Sequence, residues 1–222
     1  MDRSDPAYRG QAGYTRALLN LYDPVVLGPV ARWVWRCPVD QLVDGYRRNA
    51  RPRHLDVGPG TGYFVSRSGL PHGAPVTLLD PNQNVLRHAS ARLQGLNVQT
   101  VEADVLKPLP LEDRFASAAL NLVLHCLPGP MQRKAAAIAN VAAVLDGDGV
   151  LFGASVLGRS AEHGRLARAV LRAFNAEGGF DNLDDSEEGI REILAASFRD
   201  VEVRGIGSVA YFRAANPSGA AG

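Results

Sequence analysis

The chain has 222 residues, 46% of them hydrophobic and 21% charged, with 24 basic against 23 acidic side chains and a formal net charge of +1. That is too apolar for a disordered chain, long enough for one α/β domain with a sizeable core, and too evenly charged to require nucleic acid or an anionic membrane as partner. Two cysteines, Cys37 and Cys126, have no metal-type spacing and imply no disulfide framework, which suits a reducing cytoplasm.

The opening residues read as frayed, and Met1-Asp2-Arg3-Ser4-Asp5-Pro6 lacks the basic-then-apolar order of a signal peptide. Leu18 to Cys37 is the most apolar early stretch, but Asn20, Asp23, Pro24, Pro29, Arg32 and Arg36 interrupt it, so it cannot span a bilayer. Helices are predicted from Tyr14 to about Arg48, with Asp23-Pro24 as a cap and first turn and Pro29 as a bend. Arg47, Arg48, Arg51 and Arg53 read as a solvated helix end before the first strand.

Short apolar runs then recur at His54–Val57, Val76–Leu79, Val98–Val101, Ala118–Val123 and Gly149–Ala154, with helical patterns between most of them, notably Val85–Leu93 and Gln132–Leu145. Nearly all-apolar strands alternating with helices predict a mostly parallel sheet covered on both faces. A further helix, His163 to about Ala176, carries Leu166, Val170, Leu171 and Phe174 at helical spacing. The acids Asp181, Asp184 and Asp185 are expected to cap and charge-stabilise a short helix beginning near Ser186, rather than to hold a cation. Val201–Arg204 and Val209–Arg213, separated by Gly205 and Gly207, read as an antiparallel pair at the sheet edge. Residues 216–222 read as a disordered tail.

The chemistry centres on Leu55-Asp56-Val57-Gly58-Pro59-Gly60-Thr61-Gly62-Tyr63. A buried strand ends in an acid and enters a loop with glycine at alternate positions, which lets the backbone turn sharply and admit a ligand close to it. A P-loop would need a lysine that is not there, and a dinucleotide fingerprint would need glycine where Tyr63 stands. A second strand ends in Asp80, followed by Pro81, where a carboxylate can accept both hydroxyls of a ribose. Glu102-Ala103-Asp104-Val105 follows the third strand, and the fourth runs through Asn121 to Leu124-His125-Cys126-Leu127-Pro128.

Together these segments resemble the class I S-adenosylmethionine (SAM)-dependent methyltransferases, over about residues 50 to 213. The resemblance implies an α/β fold: a doubly wound, mostly parallel seven-stranded sheet, with residues 1–50 as an N-terminal helical lid and 51–215 as the cofactor-binding domain. It assigns cofactor binding to Asp56, Gly58, Gly60, Gly62, Asp80, Pro81, Asp104, Val105 and Asn121, with Asp56 orienting the ammonium of SAM, the acid at 80 on the ribose and the acid at 104 on the adenine. The expected activity is transfer of a methyl group to oxygen or nitrogen of a small, aromatic or apolar metabolite, with carbon methylation of an electron-rich ring or non-catalytic SAM binding as alternatives. Asn121 is followed by Leu122 and Val123, not by the Pro-Pro-Tyr of nucleic-acid amino-methyltransferases, and the strand lacks the acid of metal-dependent catechol-type enzymes. A nucleic-acid, membrane or metal partner is therefore not expected, and the chain is expected to be a cytoplasmic monomer or homodimer. His125 is the histidine expected to act as general base, since His54 begins the first strand on the far side and His72, His88 and His163 fall in loops or on helix surfaces. The lid supplies Tyr14, Tyr22, Trp33 and Trp35. Tyr14 and Tyr22 are expected to hold or deprotonate the acceptor, and the tryptophans to pack on the sheet.

Overall fold

The computed structural model describes residues 30–159 and 163–219. The elements are α1 (Val39–Asn49), β1 (His54–Val57), β2 (Pro75–Leu79), α2 (Gln83–Arg92), β3 (Asn97–Val101), β4 (Phe115–Asn121), α3 (Met131–Ala143), β5 (Leu145–Val156), α4 (Arg165–Ala176), α5 (Glu187–Ala195), β6 (Phe198–Ile206) and β7 (Val209–Pro217). The sheet has seven strands in the order β3-β2-β1-β4-β5-β7-β6. The first five are parallel, while β7 runs antiparallel to both β5 and β6.

Strand alternation explains why both faces are covered. In β4 and β5, Ala118, Leu120 and Leu151 point to a core shared with Ala137, Ile138 and Val141 of α3 and Ile190 and Leu194 of α5. Their neighbours Ala119 and Phe152 point the other way, against Tyr46 of α1 and Leu86 and Ala89 of α2. Further along that second face, Ala154 and Val156 meet Trp35, Leu42 and the α4 residues Ala167 and Leu171. The parallel strands are flush: Val57 pairs with Leu79 and Leu79 with Val101, so the loops beginning at Gly58, Asp80 and Glu102 leave the sheet at one level.

Within the span read as the N-terminal lid, α1 packs on the sheet: Leu42, Val43 and Tyr46 are buried and Asn49 donates to the Tyr211 hydroxyl at 3.0 Å. The antiparallel pair of β7 and β6 lies at the sheet edge as expected, with β6 outermost. One expectation is corrected. β7 continues to Pro217, Asn216 bonds to Asp200, and Ser218 N–H donates to the Ser197 carbonyl at 2.9 Å, so the tail does not start at 216. The Asp23-Pro24 and Pro29 signals and residues 220–222 lie outside the described residues. Arg47 and Arg48 occupy the last turn of α1, exposed as expected, whereas Arg53 pairs with Asp146 at 2.6 Å. Among the described residues no helix is long and apolar enough to cross a membrane.

Candidate active site

A cleft of about 1230 Å³, its open mouth included, lies at the carboxyl ends of β1, β2, β3 and β4. Its position follows from the topology: β1 and β4 are neighbours, but the chain winds outward from β1 through β2 to β3 before crossing to β4, so the loops diverge there. Gly58, Gly60, Asp80, Pro81, Asp104, Val105 and Asn121 all line it.

The glycine loop is shaped by left-handed backbone. Gly58 has φ +65°, and a Cβ there would stand 2.7 Å from Val123 Cγ2, so both conformation and the Val123 side chain disfavour any other residue. At Gly60, φ +56°, a Cβ would meet no atom within 4 Å, which leaves bare main chain on the cleft wall. Asp80 is half-buried; its Oδ1 accepts the Asn82 N–H at 2.7 Å, and burial pushes its carboxyl up to about 7. Asn82, rather than Asp80, caps α2, through a 2.9 Å bond from Asn84 N–H to its Oδ1. Asp104 Oδ1 accepts the Leu106 N–H at 3.0 Å. Asn121 Nδ2 is buried and has no hydrogen-bond partner, an orphaned donor on the cleft floor.

Several expected residues play other parts. Asp56 is buried beneath Tyr46, whose hydroxyl donates to both carboxylate oxygens at 3.3 and 3.2 Å. Tyr46 lines the cleft and Asp56 does not, so this acid reaches the cleft only through the phenol. Desolvation holds Asp56 protonated up to about 8. Gly62 packs against α2: with φ +74°, its Cβ would lie 3.1 Å from the Ala89 carbonyl oxygen, so this glycine permits close helix packing, and it does not line the cleft.

His125, expected as general base, is buried beside the cleft. Its Nδ1 accepts the Val156 N–H at 3.2 Å, which commits that lone pair and leaves the ring proton on Nε2. Burial, aided by the Lys134 cation, pushes the imidazole down to about 3. The ring sits edge-on to Phe180 at 4.4 Å, and His125 does not line the cleft. Tyr14 and Tyr22 lie outside the described residues.

His54 is buried, with Nδ1 2.9 Å from Ser117 Oγ. His163 is also buried, not on a surface, with Nδ1 2.9 Å from Ser208 Oγ. The acids at 181–185 do not cap α5, which Ser186 does by accepting the Gly189 N–H. Asp185 instead pairs at 2.7 Å with fully buried Lys134, Asp181 accepts the Gly129 N–H at 2.7 Å, and Asp184 pairs with Arg159. Trp35 packs into the core as expected, but Trp33 is 71% exposed. Among the described residues no three His, Cys, Asp or Glu side chains converge as a metal site.

The sequence reading missed Tyr46, Tyr63, Phe64, Leu122 and Val123, all on the cleft wall. The available signal was Tyr63-Phe64 directly after the last loop glycine, in reach of whatever the loop holds. Leu122 gave no signal: it adopts φ +61°, rare for a branched side chain, and this breaks the strand alternation so that 121, 122 and 123 all face the cleft.

Known proteins share this arrangement. A family profile described as "Methyltransferase domain" matches residues 55–149. The demethylluteothin O-methyltransferase of Streptomyces thioluteus is 37% identical over 92% of this chain and 90% of its own length. The physcion biosynthesis cluster O-methyltransferase of Aspergillus chevalieri is 36% identical over 98% and 99%. In fold, the N-methyltransferase NodS from Bradyrhizobium japonicum WM9, solved with S-adenosyl-L-homocysteine (SAH), superposes with a TM-score of 0.59 at 18% identity, over 81% of this chain and 85% of that one. The chain belongs to the class I SAM-dependent methyltransferase family and is a methyltransferase.

Proposed function

We propose that the cleft binds SAM and that the enzyme methylates an oxygen or nitrogen atom of a small, planar, largely apolar metabolite. The observation that carries this reading is one surface bearing a side-chain-free loop at Gly58 and Gly60, the acids Asp80 and Asp104 and an unpartnered amide at Asn121. These residues suit a nucleoside that also carries an amino-acid end. Bound there, SAM supplies a methyl group made electrophilic by its sulfonium.

The residues of this chain supply position. Asp80 has used one carboxylate oxygen on Asn82 and keeps the other for ribose hydroxyls. Asp104, fixed by Leu106 N–H, and Val105 suit the adenine edge and face. Asn121 Nδ2 can donate to a carboxylate or to an acceptor oxygen, and binding a ligand there would satisfy a donor otherwise buried at a cost of roughly 1–3 kcal/mol. Leu122, Val123, Tyr63 and Phe64 present apolar and aromatic surface that excludes water and orients the reactants, which is where most of the rate of a displacement of this kind arises.

The acceptor class draws on the relatives, whose names give demethylluteothin O-methylation and a physcion biosynthesis cluster. Two free cysteines, Cys37 and Cys126, suit a reducing cytoplasm. Calorimetric titration with SAM, SAH and NAD tests the donor assignment: binding of the first two in the micromolar range and none of NAD is expected. Absence of SAM and SAH binding would overturn it.

A further inference from the structure

Two side chains belong both to the cleft and to the apolar cluster beside it. Leu122 and Phe64 line the cleft, and both pack against the cluster containing Trp35, Leu171 and Phe180. Most of that cluster is buried aliphatic core, and a series of three rings runs along it. Trp35 and Phe180 lie 6.3 Å apart, Phe180 and Phe174 stack at 4.8 Å and 17°, and the run ends in solvent at Phe174, 40% exposed. Aromatic faces in series beside a cleft and reaching the surface suit a flat guest, which gains offset or edge-on contacts without requiring a fixed polar partner.

The segment carrying Phe180 is held more firmly than a surface loop needs. Asp181 N–H donates to the His125 carbonyl at 2.9 Å, the Asp181 carbonyl accepts from buried Lys134 at 2.6 Å, and its carboxylate accepts Gly129 N–H. Asn182 exchanges hydrogen bonds with Asn175 at 2.9 and 3.2 Å and donates to the Val156 carbonyl at 2.8 Å. These ties bring the segment against the turn after β4, the end of β5, and α3 and α4. The His125 ring completes them, edge-on to Phe180 and anchored on Val156 N–H. Such support is what a binding surface requires if its geometry is to persist without ligand.

We propose that Leu122 and Phe180, backed by the buried ring of Trp35, form the wall that selects the methyl acceptor, with the acceptor's ring lying along Phe180 past Leu122, and that His125 is the positioning residue that holds Phe180 in place. The inference rests on reading the neighbouring cleft as the SAM site. Leu122, at the junction, sets how wide a ring can approach the donor half.

The chain has two tryptophans, so Trp33→Phe, which alters an exposed ring, leaves Trp35 as the sole reporter. In the presence of saturating SAH, the fused-ring phenol 2-naphthol should quench Trp35 emission saturably. Phe180→Ala should weaken that binding by about tenfold or more, with SAH affinity kept within about twofold. Phe180→Tyr should retain it. Failure of the unaltered chain to bind SAH would sink the donor reading. Normal SAH binding with no saturable quenching, or with quenching indifferent to Phe180→Ala, would overturn the acceptor wall alone. Where Phe180→Ala does not fold, Phe180→Leu and Leu122→Met carry the same comparison. His125 is tested by a pair. His125→Phe keeps a ring edge on Phe180 and should preserve 2-naphthol binding within about threefold, whereas His125→Asn keeps only an acceptor for Val156 N–H and should weaken it by about tenfold. For a turned-over phenol, KM should move more than kcat, with the pH profile unchanged in shape. A kcat lost by about a hundredfold or more in both variants, with 2-naphthol binding intact, would restore the base role and overturn this one.

Discussion

Where β1, β2 and β3 end, the groups offered to the cleft are fixed by the backbone next to them: Gly58 by its own dihedral, Asp80 by Asn82 N–H, Asp104 by Leu106 N–H. Where β4 and β5 end, the supports come from far along the chain. Lys134 of α3 grips residues 181 and 185, Asn175 grips 182, and Trp35 arrives from before α1. The first half is preorganised by local sequence and can keep one ligand through changes elsewhere. The second is assembled from distant pieces, so its shape can be altered one residue at a time, as an enzyme whose acceptor varies would need. This contrast is physical and can be broken at either end.

The largest effect should follow from removing the distant support. Lys134 is fully buried, and its ammonium meets Asp185 Oδ2 at 2.7 Å and the Asp181 carbonyl at 2.6 Å. Lys134→Met leaves a largely desolvated carboxylate unpaired, a loss of roughly 3–5 kcal/mol and about 10 °C in Tm for a chain of this size. Lys134→Met with Asp185→Leu should recover much of the Tm, because neither charge is then stranded. Thermal melts of the three proteins decide it, and a single variant as stable as the double would show the pair to be unimportant.

Next is the local half. Asp80→Ala should weaken SAH binding about 10- to 100-fold, the worth of a carboxylate accepting ligand hydroxyls, without moving Tm downward. Calorimetry measures both the affinity and, in a melt, the stability; unchanged affinity would remove Asp80 from the ribose. The same residue gives a pH signature. Burial holds its carboxyl near 7, and hydroxyl donors favour the ionised form, so binding should release a proton below that pH and affinity should weaken by up to about tenfold per pH unit going down. Above pH 8 the group is already ionised and the release vanishes. Titration at pH 6 in two buffers of different ionisation enthalpy reads the proton directly, and Asp80→Asn should abolish it.

The two halves also differ in how far the sequence revealed them. Strand-end acids after a glycine loop are legible because the same few residues end the strands and line the cleft; His54–Val57 was bounded correctly because every residue in it is buried. The wall at Leu122 and Phe180 was not legible. Its residues are ordinary apolar ones at 35, 122 and 180, brought together by the sheet order, and the left-handed turn at Leu122 leaves no mark in composition. The position of His125 just after β4 was readable, while the direction of its ring was not. The Val156 N–H that claims Nδ1 belongs to the neighbouring strand.

Asp56 offers the smallest expected change and the sharpest contrast with Asp80, since both acids end parallel strands in the same sheet. Tyr46 covers Asp56 and donates to it, His54 Nε2 stands 4.0 Å away, and burial keeps the carboxyl protonated up to about 8. At neutral pH it therefore contributes an uncharged hydrogen-bond acceptor beneath a phenol. Asparagine reproduces that acceptor at nearly the same volume, so Asp56→Asn should leave SAH affinity within about threefold of the unaltered protein. An acid that met the ligand's ammonium directly would behave differently, because removing its charge would cost about tenfold or more. Tyr46→Phe separates the remaining possibilities: it takes the donor from Asp56 and the hydroxyl from the cleft together. A larger loss there than in Asp56→Asn would mean that the phenol meets the ligand and the acid serves to aim it.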